Sequence, residues 1–282
     1  MTLPFACLLP HRSVVRVGGP DRSSFLQGLI SNDITKATDR TAIYAALLTP
    51  QGKFLHDMFI LAEGDSFLID CEVARIDDLL HRLTAYKLRA KVSFEIMTSA
   101  FDVWAVWDGD YQAPLCFSDP RLVELGYRLF SPKGKEPANT VCTEFASFDQ
   151  HRLRLGVADG SRDMEIGRST LAEGNFDMLN GVDWKKGCYV GQELTARMHY
   201  RGLSKKRLFP VRVEGGLVPH GTLLPNDAGE MRSQSGTQGL ALLRMDSVEQ
   251  AMGQEHPITL GETRIWSTLP LWMQIDETSI NG

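Results

Sequence analysis

Between Ser13 and Val17 the segment "SVVRV" alternates in the manner of a strand with one inward face. Two glycines stop it, and Pro20-Asp21 opens a helix through "SSFLQGLISND", where Phe25, Leu26, Leu29 and Ile30 share a face at helical spacing. "AIYAALLT", "KFLHDMFILA" and "SFLIDC" then read as three strands joined by the turns "PQG" and "EGD". The period changes again in "VARIDDLLHRLTAYKL", a helix with Ile76, Leu79, Leu80 and Leu83 on one side. "KVSFEIM" and "FDVWAVW" return to strand pattern. Strands crossed by a packed helix make an α+β lobe, here of ferredoxin-like kind.

Beyond this lobe, "SPKGKEPANT" is loop and "FASFDQHRLRLG" a helix followed by a link. After Arg207 the texture shifts to short strands between Gly, Pro and Asn turns: "LFPVRVE", "GTLLP", "GLALLRM" and "HPITLGETRIW". Such strands predict a small separate barrel or sandwich. A chain of 282 residues exceeds what one compact core usually serves, so two or three lobes are expected.

Composition narrows the function classes. The net charge of -5 argues against nucleic acid held by bulk charge, so no direct nucleic-acid binding is expected. No apolar run approaches the roughly 20 residues a bilayer crossing needs, so no membrane partner is expected. The opening "MTLPFACLLPHRSVVRVGG" lacks the basic region of a signal peptide and is too short to read as a transit peptide, and the expected location is cytoplasmic. The five cysteines are an odd count without any CxxC pair. That fits a reducing compartment and predicts no private metal or iron–sulfur site. One of them can still be a ligand shared with a partner.

Cys188 is the candidate. It lies in "KKGCYVGQELTARMHYRG" between Gly187 and Gly191, just ahead of a helix expected over 192–198. Unpaired amides at a helix start favour a thiolate, and Lys185 and Lys186 act in the same direction. The competing reading is a small buried hydrophobe, the usual state of a cysteine. From 184 to 212 eight cations face the single acid Glu193, which marks a basic surface. It is either a solvated face or a dock for carboxylates or an acidic partner. In "TPQGKFLHDMF", Asp57 and His56 follow a tight turn and face opposite ways on their strand. Asp57 is either an exposed strand carboxylate or a group at the rim of a pocket, able to bond an amino-pyrimidine ring.

The run Lys186-Gly-Cys-Tyr-Val-Gly-Gln-Glu193 resembles the K-G-C-Y-x-G-Q-E signature of the YgfZ-type folate-binding proteins. That family is similar to mitochondrial iron–sulfur assembly factors and, more distantly, to the T-protein (aminomethyltransferase) of glycine cleavage. "FLQGLISNDI", "LLTPQGKFLHDMFIL", "ARMHYRG" and "GLALLRMD" extend the likeness over most of the chain. The resemblance implies an α+β, three-lobed ring of aminomethyltransferase type. Residues 1–205 would form a folate-binding core of two α+β lobes, and 206–282 a β-barrel. It implies tetrahydrofolate as cofactor, and iron–sulfur assembly or client proteins as transient partners. The work would be cluster assembly or repair, indirectly supporting tRNA-modifying and other iron–sulfur enzymes. Cys188 would carry the chemistry, Asp57 would orient the pterin, and Lys186, Arg197 and Arg201 would receive carboxylates, with Tyr189 and Gln192 beside them. Two departures stand out. The T-protein hairpin has adjacent aspartates where this chain has His56-Asp57, and Arg154 occupies the place of a pterin-holding glutamate. The alternatives are therefore a tetrahydrofolate-dependent one-carbon transferase and a non-catalytic interaction module that has lost folate.

Overall fold

The computed structural model describes residues 3–202, 204–248 and 257–273. The chain divides into two compact units: residues 1–145 with 179–192, and residues 146–178 with 193–282.

The first unit holds β1 (Phe5–Leu8), β2 (Arg12–Gly18), α1 (Arg22–Gln27), β3 (Ile43–Leu48), β4 (Phe54–Glu63), β5 (Ser66–Glu72), α2 (Ile76–Lys87), β6 (Ser93–Ile96), β7 (Phe101–Trp107), β8 (Cys116–Ser118), β9 (Tyr127–Pro132) and β10 (Val141–Cys142). One five-stranded sheet runs β3-β4-β5-β2-β6. Read from β6, the order β6-β2-β5-β4 is that of a ferredoxin-like βαββαβ unit, with β3 added at the edge. Its outer face buries Val15, Val17, Met58, Ile60 and Ile69 against Leu26, Leu79 and Leu83 of the helices. The expected helix over Ser23–Asp33 is shorter: α1 stops at Gln27 and Gly28 caps it, so Leu29 and Ile30 reach the same core from a turn. In a second sheet, β10-β1-β7-β9-β8, only β7 is legible from the sequence pattern, the other strands being two to six residues long.

Between the sheets of this unit lies a layer of charge. Arg12 bonds Asp70 at 2.6 Å and Asp57 at 2.9 Å, Arg128 bonds both Asp70 and Asp119, and Arg121 grips Asp119 through two nitrogens at 2.8 and 3.0 Å. Three guanidiniums balance three carboxylates, and every one of the six residues is buried. Phe59 lies under all three cations, with Arg128 closest at 3.6 Å from its centroid. An aromatic face attracts cations most where water is excluded.

On the opposite face of β4, His56 is 2% exposed and its Nε2 lies 2.8 Å from Asp78 on α2. Burial, aided by the charge of Arg75, pushes its pKa from 6.5 to about 4 against the pull of Asp78. The unfolded chain therefore binds more protons than the folded one between those values, and stability falls as pH drops from 6.5 toward 4. A drop of that size corresponds to roughly 3 kcal/mol. Thermal midpoints should decline across this window, and His56→Gln should flatten the decline. An unchanged slope in the variant would contradict the assignment.

The second unit contains α3 (Phe145–Arg154, entering at Ala146), most of α4 (Gln192–Tyr200), β11 (Lys206–Glu214), β12 (Leu223–Leu224), β13 (Gly229–Ser235), β14 (Gln238–Arg244), β15 (Ile258–Leu260) and β16 (Thr263–Ser267). Its six strands form one antiparallel sheet, β12-β13-β14-β11-β16-β15, around Phe209, Val211, Val213, Met231, Leu243 and Ile265. The alternation 209, 211, 213 is the inward period of β11. No helix among the described residues is long and apolar enough to cross a membrane.

Candidate functional site

Three sequence motifs of the first unit meet around Cys188. The first is the turn after α1. Its backbone carbonyls of Gln27, Ile30 and Asn32 all accept from the ammonium of Lys186, at 2.8, 2.6 and 2.8 Å. A helix end leaves carbonyls without partners, and the compact lysine head serves three such oxygens at once. The second motif is the approach to the thiol itself. Asp183 Oδ1 accepts from the amides of Lys185 and Lys186 at 2.6 and 3.0 Å, and its other oxygen meets Lys36 at 2.5 Å. Asp183 N–H donates to Ser31 O, Ser31 Oγ to Gly181 O, and Asn32 Nδ2 to Asn180 O. The third is the turn between β3 and β4. Gly191 sits on it with φ +82°, where a Cβ would fall 2.5 Å from Thr49 O and 2.9 Å from Leu48 Cβ. Only glycine fits there. Val190 N–H closes the loop on Gly28 O at 3.1 Å.

The turn is thus tied at 183, 186, 190 and 191, while Gly187 and Cys188 between these ties are exposed. Of the two readings of Cys188, the buried hydrophobe is set aside. Cys7 and Cys71 take that part, and burial pushes the Cys71 thiol up to about 12. Among the described residues no group of three or more His, Cys, Asp or Glu could hold a metal ion.

The other expected site residues divide. Lys186 is buried and committed to the three carbonyls, so it holds the turn instead of facing a carboxylate; burial pushes its pKa down to about 8, although Asp33 and Asp183 oppose this. Tyr189 is buried with its ring 5.0 Å from the Lys186 ammonium. Asp57, expected at a rim, lies inside the charge layer, because Asp57 and Phe59 share the face of β4 that meets the buried arginines and Arg12 claims Oδ1. Its Oδ2 is buried without a partner among the described residues. Gln192 is half-buried at the start of α4. Arg197 and Arg201 are exposed in the second unit, where Arg197 pairs with Glu193 at 3.0 Å. Arg154 is exposed there too, its guanidinium 3.1 Å from His151 Nδ1. Ser31, Asn32 and Asp183 escaped the sequence reading. Their signal was local: an Asp two and three residues ahead of amides it can cap, and a short polar run just past a helix end.

A cavity of about 880 Å³ in the first unit, lined by Tyr111, Leu115, Leu129 and Pro137 among others, includes none of these residues.

Residues 205–275 match the model of the CAF17 C-terminal beta-barrel domain. The chain is 34% identical over 285 residues to the mitochondrial iron–sulfur cluster assembly factor IBA57 of Mus musculus, covering 86% of this chain and 78% of the relative. The Homo sapiens protein of the same name is 32% identical, with 87% and 79% covered. The chain belongs to the IBA57 family of iron–sulfur cluster assembly factors. The IBA57 homolog of Mycosarcoma maydis is 36% identical over 225 residues, but the match spans 56% of that longer protein. The crystal structure of the glycine cleavage aminomethyltransferase T from Bartonella henselae superposes with a TM-score of 0.71 over 96% of this chain and 87% of that one, at 13% identity. The α+β fold of aminomethyltransferase type with a C-terminal barrel is therefore as the sequence led one to expect.

The expected location is corrected. All of these IBA57 relatives are named as mitochondrial, which points to the mitochondrion and away from the cytoplasm. The cysteine argument could not separate the two, because a low count of unpaired thiols suits any reducing interior.

Proposed function

We propose that the chain acts in iron–sulfur cluster assembly as an accessory protein that presents Cys188 to a cluster-carrying partner. The cluster is cargo, not a resident group. The observation that carries this reading is the exposed thiol on a turn whose neighbours are fixed by Lys186, Asp183 and Gly191. A sulfur held out from an anchored backbone binds with little further ordering cost. The thiolate is the form that ligates iron, and its proton passes to solvent. Kinship with the IBA57 factors supports the process, and the Lys186–Glu193 signature supports the narrower YgfZ-type affiliation. Partners are transient cluster assembly or client proteins, and effects on tRNA-modifying enzymes follow through their clusters.

Tetrahydrofolate belongs to the proposal through the fold and the signature. The side chains assigned to it fit poorly as a pterin clamp: Asp57 is enclosed beside Arg12, Lys186 is spent on carbonyls, and Arg154 offers no acceptor. Arg197 and Arg201, exposed in the second unit, remain as groups for an anionic tail. No step of the proposed chemistry runs through the folate.

Cys188→Ser, expressed at normal level in cells lacking the native protein, should lose most of the iron–sulfur enzyme activity that the wild-type chain restores. Its thermal midpoint should stay within about 1 °C, as for an exposed surface change. Full restoration by the variant would remove the thiol from the mechanism. Calorimetry on the same two proteins decides the folate part, where absence of heat with tetrahydrofolate would leave an interaction module.

A further inference from the structure

We infer that Gly187 is a clearance residue, keeping open the space through which a partner's metal–sulfur cluster, with the protein that holds it, reaches the Cys188 sulfur. The inference rests on the reading of Cys188 as the partner-facing thiol. Two glycines flank that cysteine, and the fold accounts for one of them. Gly191 has φ +82°, and a Cβ on it would strike Thr49 O and Leu48 Cβ at 2.5 and 2.9 Å. Gly187 has neither constraint. Its φ lies outside the left-handed region, and a Cβ built on it meets no atom within 4 Å among the described residues beyond its two chain neighbours.

A glycine without such a constraint is a cost to the fold. It loses more conformational freedom on ordering than any other residue, so alanine at a compatible position is ordinarily stabilising. Residue 187 also sits where the chain is tightly held. Lys186 is fixed through its amide and through three bonds of its ammonium, and Tyr189 is buried. A side chain at 187 would therefore have no slack to swing away with its backbone. It would stand one peptide unit, about 3.8 Å between Cα atoms, from Cys188. The room left by the missing Cβ is bordered by no described residue beyond its chain neighbours and lies beside the exposed thiol.

The kind of visitor follows from size. A small electrophile passes a methyl group easily. A cluster fixed in a partner by its own ligands is rigid and broad, and it must bring protein surface with it. Clearance at 187 therefore matters for a protein-borne cluster and little for a free small reactant, which makes residue 187 a positioning residue that sets how closely the partner approaches.

The test uses the full chain with Gly187→Ala, Gly187→Val and Gly187→Leu beside Cys188→Ser. Three quantities are read: the thermal midpoint, the rate of iodoacetamide alkylation at Cys188 by peptide mass spectrometry, and restoration of iron–sulfur enzyme activity in cells lacking the native protein. For Gly187→Ala the midpoint should equal or exceed that of the wild type, and alkylation should stay within twofold across the series. Restoration should fall several-fold for Ala and more than tenfold for Val and Leu. Full restoration by Val and Leu while Cys188→Ser is inactive overturns the clearance role and leaves the thiol reading standing. Full restoration by Cys188→Ser overturns the thiol reading itself. A lowered midpoint in Gly187→Ala, or alkylation slowed beyond twofold, overturns the inference by showing that the glycine serves the fold.

Discussion

Replacing Asp70 by asparagine should destabilise the first unit by about 3–5 kcal/mol, since a buried ion pair broken from one side leaves uncompensated charge behind. Asp70 is fully buried and serves two cations, Arg12 at 2.6 Å and Arg128 on its other oxygen. The amide keeps the shape but removes the charge, and one of its two ends turns from acceptor to donor. Two guanidiniums then share Asp57 and Asp119, the latter already held by Arg121. Phe59 under the cations offsets little of this, because its attraction is a small fraction of what desolvating a charge costs. For a unit of this size the loss corresponds to a fall in midpoint of roughly 10 °C. Glu95→Gln supplies the contrast. It removes an exposed partner of Arg16, and the pair spans 3.3 Å with Glu95 62% exposed. That change should cost less than about 1 kcal/mol. Equal effects from the two variants would mean that the buried layer contributes no more than a surface pair.

Lys186→Met should have the second largest effect, and a local one. Three carbonyls of the turn after α1 lose a charged donor together. Hydrogen bonds to a charged group contribute about 1.5–3 kcal/mol, and buried acceptors left unmet add to the loss, so a cost near 3 kcal/mol is expected. Lys186→Arg should not restore the wild type, because a planar fork cannot gather three oxygens about one nitrogen. The measurement is amide hydrogen exchange. Val190 N–H, bonded to Gly28 O, and Lys186 N–H, bonded to Asp183, should exchange faster in both variants. Protection in the β4–β5 hairpin, which the turn does not touch through these bonds, should hold. If both amides remain as protected as in the wild type, the ammonium is not what ties the turn down.

The alternation along β2, β4, β5, β7 and β11 and the helical period of α2 and α3 were readable because each is a repeated local choice. Burial on one face fixes every second or every third to fourth residue. The short strands β1, β8, β9 and β10 were not readable, since a few residues carry too little periodicity and their pairing is decided by partners far away in the chain. α1 is shorter than its pattern suggests for a related reason: Leu29 and Ile30 keep the helical phase but are held by a turn that Lys186 stabilises from 156 residues away.

The sequence by itself determined the α+β character, the small all-β unit at the end, the candidate thiol and, through the Lys186–Glu193 run, the kinship. Those properties are written in residue types and local spacing. Only the tertiary structure decided what the polar residues were for. Lys186 and Asp57 look from the sequence like ligands waiting for an anion or a pterin, yet one ties carbonyls from another segment and the other sits in a buried layer with Arg12. The physical reason is that charge and hydrogen-bonding capacity are carried by a residue, whereas its partner is chosen by the fold, and long-range proximity leaves no trace in local pattern.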